Sequence, residues 1–124
     1  MTILGPLSHI ALVVRDPSRT AALFEALFAS KPICRQDADG HQETFVRLGD
    51  TWFVLVAADK ERPLTGDHVA FQVSAEQLRL ASERLKQLDH AYQMARSDTA
   101  LYFIDFDNHV FELDSVGLDS ELST

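Results

Sequence analysis

The sequence is short of cysteine, of long apolar stretches and of basic residues, and each scarcity argues against a class of protein. It has one cysteine, Cys34, which cannot form an intrachain disulfide, and its first residues, MTILGPLSH, carry neither a basic segment nor a long apolar one. We therefore expect no signal peptide and a reducing, cytoplasmic location. No apolar run approaches the roughly 18 residues that a membrane-spanning helix needs, so we expect no membrane partner. The 11 basic and 19 acidic residues give a formal net charge of -8, which disfavours nucleic acid as a partner but leaves room for a local basic pocket that binds a small anion.

A chain of 124 residues is long enough for one domain with its own core. The same pattern of predicted strands and helix occurs in each half of the sequence. Each half begins with a strand, continues with an amphipathic helix and ends with three further strands. Asp16 followed by Pro17 indicates the start of the first helix, and a capping box of Ser74 and Gln77 indicates the start of the second. We predict an α+β fold of two βαβββ modules at about residues 5–58 and 67–116, with a linker at about 59–66 and an acidic, solvated tail at 117–124.

Three polar side chains interrupt otherwise apolar strands. His9 lies in LSHIALVV, His68 occupies the matching place in GDHVAFQV, and Glu112 lies in HVFEL. Because side chains alternate across a strand, the more apolar set should lie under the helix and both histidines on the opposite face. Two imidazoles and a carboxylate suit a divalent metal with positions left open for a substrate. The alternative is two core histidines bonded to backbone carbonyls and a glutamate on a solvated edge.

The other three histidines point to a metal less strongly. His41 follows a turn signal and His90 comes at the end of the second helix, so we expect both to be exposed. His109 begins a strand after Asp107 and Asn108, which form a turn signal, and we expect a structural or solvated role for it.

Together these features resemble the vicinal oxygen chelate superfamily, which includes glyoxalase I, extradiol dioxygenases and fosfomycin-resistance proteins. YFIDFDNHVFEL, residues 102–113, resembles the last strand pair of the fosfomycin-resistance branch, and DHVAFQV and LSHIALVV resemble its two histidine strands. The resemblance covers nearly the whole chain and implies a cupped mixed sheet with the helices on its outer face. It also implies a homodimer with exchanged modules, in which His9 of one chain meets His68 and Glu112 of the other around a metal. Manganese is the first expectation, with zinc, iron, nickel or cobalt as alternatives.

The resemblance is greatest to the manganese-dependent hydrolase type, which opens the fosfomycin epoxide with water. In that type a glutamate nine residues before a tryptophan is the general base, and Glu43 precedes Trp52 by that interval. By the same resemblance Trp52 and Phe45 line the pocket and Tyr102 belongs to the substrate site. The alternatives are a solvated Glu43 after a hairpin turn, core packing for Trp52 and Phe45, and a strand tyrosine with its hydroxyl in water for Tyr102.

The chain departs from that pattern in three places. Ala11 stands where the family usually has threonine, and the longer loop that grips the phosphonate is reduced to RSDT, residues 96–99. The arginine that the family carries nine residues after the metal glutamate is replaced by Glu121, which should repel a dianion. Arg47 and Arg96 are candidates for a substitute cation; the alternative for each is a surface role.

We therefore predict a divalent-metal-dependent enzyme that opens an epoxide, in fosfomycin or a related small molecule, with water and with Glu43 as general base. The alternatives are a glyoxalase-like or dioxygenase metalloenzyme acting on another small oxygenated substrate, a thiol transferase, or a non-catalytic protein that binds a small molecule. Bleomycin-binding relatives of the last kind lack the metal triad, so the presence of all three candidate ligands argues against it.

Overall fold

The computed structural model describes residues 2–123, and the chain divides between Lys60 and Glu61 into two compact units. The first unit contains β1 (His9–Val14), α1 (Pro17–Phe28), β2 (Ile33–Gln36), β3 (Gln42–Leu48) and β4 (Thr51–Ala57). Its four strands form one sheet in the order β1-β4-β3-β2. β1 runs parallel to β4, and the other neighbouring strands are antiparallel.

The second unit repeats this arrangement. It contains β5 (His68–Gln72), α2 (Ala75–Gln87), β6 (Tyr92–Ala95), β7 (Ala100–Ile104) and β8 (Val110–Asp114), followed by the short, exposed helix α3 (Leu118–Leu122). The strand order is β5-β8-β7-β6, with β5 parallel to β8 and the other pairs antiparallel. The predicted α+β class with two βαβββ modules is therefore confirmed. None of the helices within residues 2–123 is long and apolar enough to cross a membrane.

Both principal helices begin where the capping residues indicate. The Asp16 side chain accepts a hydrogen bond from the backbone N–H of Arg19 at 3.2 Å, and Pro17 occupies the first turn. Ser74 and Gln77 form the reciprocal capping box. Each box or cap satisfies backbone donors that have no partner inside the helix. The helices then bury apolar faces on their own sheets, with these residues: Leu23, Phe24 and Leu27 in α1, and Leu78, Ala81 and Leu85 in α2.

The alternation of side chains decides which face of each sheet is covered. Leu12 and Val14 are buried with Phe53 and Leu55 under α1, and Phe103 and Phe111 stack at 5.3 Å under α2. His9 and His68 lie on the opposite, open face of their respective sheets. The predicted orientation of both histidines relative to the helices is therefore correct.

His41 is exposed, as expected, but His90 is not. The His90 ring is half-buried, and its Nε2 lies 2.6 Å from the Ile104 carbonyl. The ring also forms T-shaped contacts with the rings of Phe103 and Phe106. His109 has the structural role predicted as one alternative, because its Nδ1 lies 2.8 Å from the buried Asp105 carboxylate.

Candidate functional site

In the second unit, His68 and Glu112 come together on the open face of the sheet. Glu112 lies on β8 between its neighbours Ala70 of β5 and Tyr102 of β7, and His68 is two residues before Ala70 on the same face. This register brings His68 Nε2 to 3.3 Å from Glu112 Oε1. Glu112 is only 6% exposed, so its charge needs a partner inside the fold.

The position of His68 suits a metal ligand. Its Nδ1 lies 3.0 Å from the Gly66 carbonyl, so we assign the ring proton to Nδ1, where it donates to that oxygen. The unprotonated Nε2 then faces a carboxylate oxygen, an arrangement that is favourable only with a proton or a metal cation between them. Two ligand atoms at about 2.1 Å from one cation, at angles of about 90–109°, lie about 3.0–3.4 Å apart. The 3.3 Å between His68 Nε2 and Glu112 Oε1 lies within this range.

Arg96 occupies the other side of Glu112. Its Nη2 donates to Glu112 Oε2 and lies 3.7 Å from an oxygen of Asp114, and its Nη1 donates to the Tyr102 hydroxyl at 3.2 Å. The hydrogen bond to Glu112, and next the one to Tyr102, raise the pKa of Arg96 above its ordinary value. Arg96 is therefore an ion-pair partner of the candidate metal ligand Glu112, a contact that the sequence did not predict.

The backbone explains how a loop residue reaches the sheet. Arg96, Ser97 and Asp98 all have positive φ, between 50° and 64°, so the four-residue connection turns left-handed and folds back. Thr99 closes the turn, since both its N–H and its hydroxyl donate to the Arg96 carbonyl. Nothing in the hydrophobic pattern signals this turn, which is why sequence reasoning missed the Arg96–Glu112 pair.

Asp114 is a further buried carboxylate beside this pair, and no role was predicted for it. Hydrogen bonds from the backbone N–H groups of Val116 and Gly117, together with the charge of Arg96, outweigh its burial and lower the pKa of Asp114. It is ionised at neutral pH and acts as a second counter-charge to Arg96.

In the first unit, His9, Glu43, Phe45 and Trp52 line one pocket of about 500 Å³. The sheet register explains this, because His9 of β1 lies beside Trp52 of β4, and β3 carries Glu43 and Phe45 on the same face. Ser8 Oγ lies 3.0 Å from His9 Nδ1, which leaves Nε2 for a ligand. The remaining lining residues are Ser8, Ile33, Arg35 and Val54.

Arg35 is a pocket residue that the sequence analysis missed. It lies opposite Glu43 in the β2–β3 ladder, its Nε is 3.4 Å from Glu43 Oε1, and its guanidinium lies 5.0 Å from the centre of the Phe45 ring. Asp39 followed by Gly40 is a hairpin-turn signal in the sequence, and it could have indicated this contact, because the turn sets the register of the two strands.

Arg47 shares the open face with Glu43 and Phe45, as the alternation indicates, but it is not among the residues that line the pocket. Its guanidinium lies over the Trp52 ring, 5.4 Å from the centroid. The candidate residues thus fall into two groups, each within its own unit: His9, Glu43, Phe45 and Trp52 in the first, and His68, Glu112, Tyr102 and Arg96 in the second.

A third group of possible ligands lies in the β2–β3 turn. Asp37, Asp39 and His41 place one ligand atom each within 4.8 Å of one another. The Asp37 carboxylate, however, already accepts the backbone N–H groups of Asp39 and His41 and lies 3.3 Å from His41 Nδ1. These exposed residues form the hydrogen-bonded framework of a turn.

Comparison with known proteins identifies relatives of this chain. No protein-family model matches the chain. It is 30% identical over 128 aligned positions to the fosfomycin resistance protein FosX of Listeria innocua, with 97% of this chain and 96% of that protein covered. A glutamate-to-glutamine mutant of FosX from Listeria monocytogenes, crystallised with Mn(II) and 1S,2S-dihydroxypropylphosphonic acid, superposes with a TM-score of 0.84 at 31% identity, covering 97% and 99% of the two chains.

A glyoxylase/bleomycin resistance protein/dioxygenase domain from Frankia shares the fold, with a TM-score of 0.75 at 24% identity and 90% and 91% of the two chains covered. This likeness concerns the fold alone. The identity to FosX across almost the full length of both chains is more specific, and it shows that this chain belongs to the FosX family of fosfomycin resistance proteins.

Proposed function

We propose that this protein is a divalent-metal-dependent enzyme that adds water across the epoxide of fosfomycin or a related small molecule. The observation that carries the proposal is the position of Glu43, whose half-buried carboxylate lines the same pocket as His9 and Trp52. The FosX structure that contains a dihydroxypropylphosphonic acid together with Mn(II) supports it, since a vicinal diol is what water addition to an epoxide yields.

The proposed metal ligands are His9, His68 and Glu112, and the proposed metal is Mn(II). The fixed ring proton of His68 and its 3.3 Å distance to Glu112 support this set, as do the donor types, since imidazole nitrogen and carboxylate oxygen suit Mn, Zn, Fe and Co. We assign the site to a homodimer with exchanged modules, in which His9 of one chain joins His68 and Glu112 of the other. Arg96, which also donates to the Tyr102 hydroxyl, then holds Glu112 in place, a role that outer partners of metal ligands commonly have.

A bound divalent metal would supply Lewis-acid polarisation of the epoxide oxygen. Glu43 accepts a proton from a water molecule, whose oxygen forms a bond to an epoxide carbon while the carbon–oxygen bond of the ring breaks. The released oxygen takes up a proton from solvent and Glu43 gives its own proton to solvent, so one water molecule is added and the product is a vicinal diol. Trp52 and Phe45 present apolar surface to the carbon atoms of the substrate.

The test is a phosphorus NMR time course of fosfomycin with the purified protein and Mn²⁺, with and without glutathione. We expect the diol to form at the same rate in both samples. A glutathione adduct instead would make the protein a thiol transferase and remove Glu43 from the mechanism. An unchanged spectrum from metal-loaded protein would show that fosfomycin is not the substrate.

The proposed location is the cytoplasm, for which the single cysteine, Cys34, is the support. Cys34 is exposed, and an exposed free thiol is best preserved in a reducing compartment. Fractionation of cells that express the protein, followed by immunoblotting, tests this assignment.

A further inference from the structure

Arg35 gives the pocket of the first unit a strong cation. Among the eight described residues that line this pocket it is the only arginine or lysine. Its side chain is 67% exposed, so the guanidinium is within reach of a ligand. A guanidinium is also the side-chain group that binds a phosphonate or carboxylate best, because its parallel N–H groups match two oxygens of the anion.

The two arginines expected from the sequence to serve this purpose are used elsewhere. Arg96 is held by Glu112 and by the Tyr102 hydroxyl in the second unit. Arg47 lies over the Trp52 ring and does not line the pocket. Neither is among the described residues that line the pocket containing Glu43.

The described neighbours of Arg35 hold its guanidinium in place but accept a hydrogen bond from only one of its nitrogen atoms. Nε donates to Glu43 Oε1 at 3.4 Å, and the guanidinium lies 5.0 Å from the centre of the Phe45 ring, within the range of a cation–π contact. Since Nε makes the bond to Glu43, the two Nη atoms remain to bind a second anion. An acid group bound there would be beside the carboxylate that activates water.

We propose that Arg35 recognises the acid group of the substrate, a phosphonate or a carboxylate, in the pocket that contains Glu43. This inference rests on the proposed function, because it takes the pocket of Glu43 as the place of reaction. It makes Arg35 a specificity-determining residue, which sets the affinity for acidic epoxides but not the affinity for neutral ones.

The first test measures binding without turnover. Trp52 is the only tryptophan in the chain and lines the pocket, so its fluorescence reports the titration of the Mn²⁺-loaded protein with propylphosphonate. We expect the dissociation constant to rise about 10- to 100-fold in Arg35→Gln, the usual effect of losing a charge-assisted hydrogen bond, and to rise less in Arg35→Lys. The matched control is Arg79→Gln, which removes an exposed, ion-paired arginine on α2 and should leave the constant unchanged.

Wild-type affinity in Arg35→Gln, or no binding of propylphosphonate and propanoate to the wild type, would overturn the proposal whether or not the protein hydrates epoxides.

The second test compares fosfomycin with neutral epoxypropane. Arg35→Gln should raise KM for fosfomycin and leave KM for epoxypropane unchanged, and any loss of kcat that follows from the broken bond to Glu43 should be equal for the two substrates. A loss of kcat on both substrates with KM for fosfomycin unchanged would instead show that Arg35 only positions Glu43. Binding that depends on Arg35 without any turnover would support this inference and refute the hydrolase.

Discussion

Replacing Glu43 with glutamine would remove the proposed base while keeping the shape of the pocket. The glutamine carbonyl can still accept the hydrogen bond that Arg35 Nε donates to Glu43 Oε1. The ion pair that is lost joins side chains that are 67% and 32% exposed, and pairs of that kind contribute about 0–1 kcal/mol. The free energy of unfolding should therefore change by about 1 kcal/mol or less.

The rate should change far more. General base catalysis contributes roughly 100- to 10,000-fold, which corresponds to about 3–5 kcal/mol of activation free energy. We expect Glu43→Gln to lower kcat by that factor with little change in KM, because the carboxylate acts on water rather than on the bound epoxide. The assay is the initial rate of diol formation by phosphorus NMR with saturating Mn²⁺.

Two variants make this result specific. Glu43→Asp keeps the charge but withdraws it from the pocket by one methylene, and its rate should lie between the wild type and Glu43→Gln. Glu25→Gln removes an exposed carboxylate from α1 and should be as active as the wild type. If Glu43→Gln kept more than about a third of the wild-type rate, Glu43 would not be the base.

Three further predictions follow from the same structure. Mn²⁺ at about 100 times its dissociation constant should stabilise the protein by about 2.7 kcal/mol in urea titrations, and equal stabilisation of Glu112→Gln would rule out Glu112 as a ligand. His9→Ala and Glu112→Ala chains that are unfolded and refolded together should regain about a quarter of wild-type activity. The reason is that half of the dimers are mixed, and each mixed dimer has one intact site out of two. No recovery would contradict the exchanged dimer. Gly117→Ala should cost roughly 1–3 kcal/mol of unfolding free energy, because Gly117 has φ 84° and ψ 150° and its added Cβ would lie 2.4 Å from Gln72 Oε1. Gly5→Ala, which meets nothing within 4 Å, is the control, and equal urea midpoints for the two variants would refute that reasoning.

The FosX complex with Mn(II) and a phosphonic acid agrees with the metal-dependent epoxide chemistry predicted from the sequence. The ligand set His9, His68 and Glu112, the base Glu43 and the exchanged homodimer stay predictions, for which the metal-stabilisation, rate and mixing experiments are the tests.

Local chemistry determined the elements of this fold. Asp16 with Pro17 and Ser74 with Gln77 start the helices where the sequence places them, because a cap acts through neighbours only three residues away. Strand alternation likewise placed His9 and His68 on the open faces, since the period of two needs no knowledge of the neighbouring strands. The family, too, was recognisable from the order of these short segments.

Contacts between strands distant in sequence were decided by the tertiary structure alone. The left-handed turn that begins at Arg96 brings its guanidinium onto Glu112, sixteen residues further on, and no periodic pattern encodes such a turn. The contact of Arg35 with Glu43 is local by comparison, because the turn of the β2–β3 hairpin sets the register of its two strands. The sequence by itself determined which residue types face the open side of each sheet. Which cation neutralises which carboxylate depends on distances of a few ångströms across strands, and only the folded chain sets those distances.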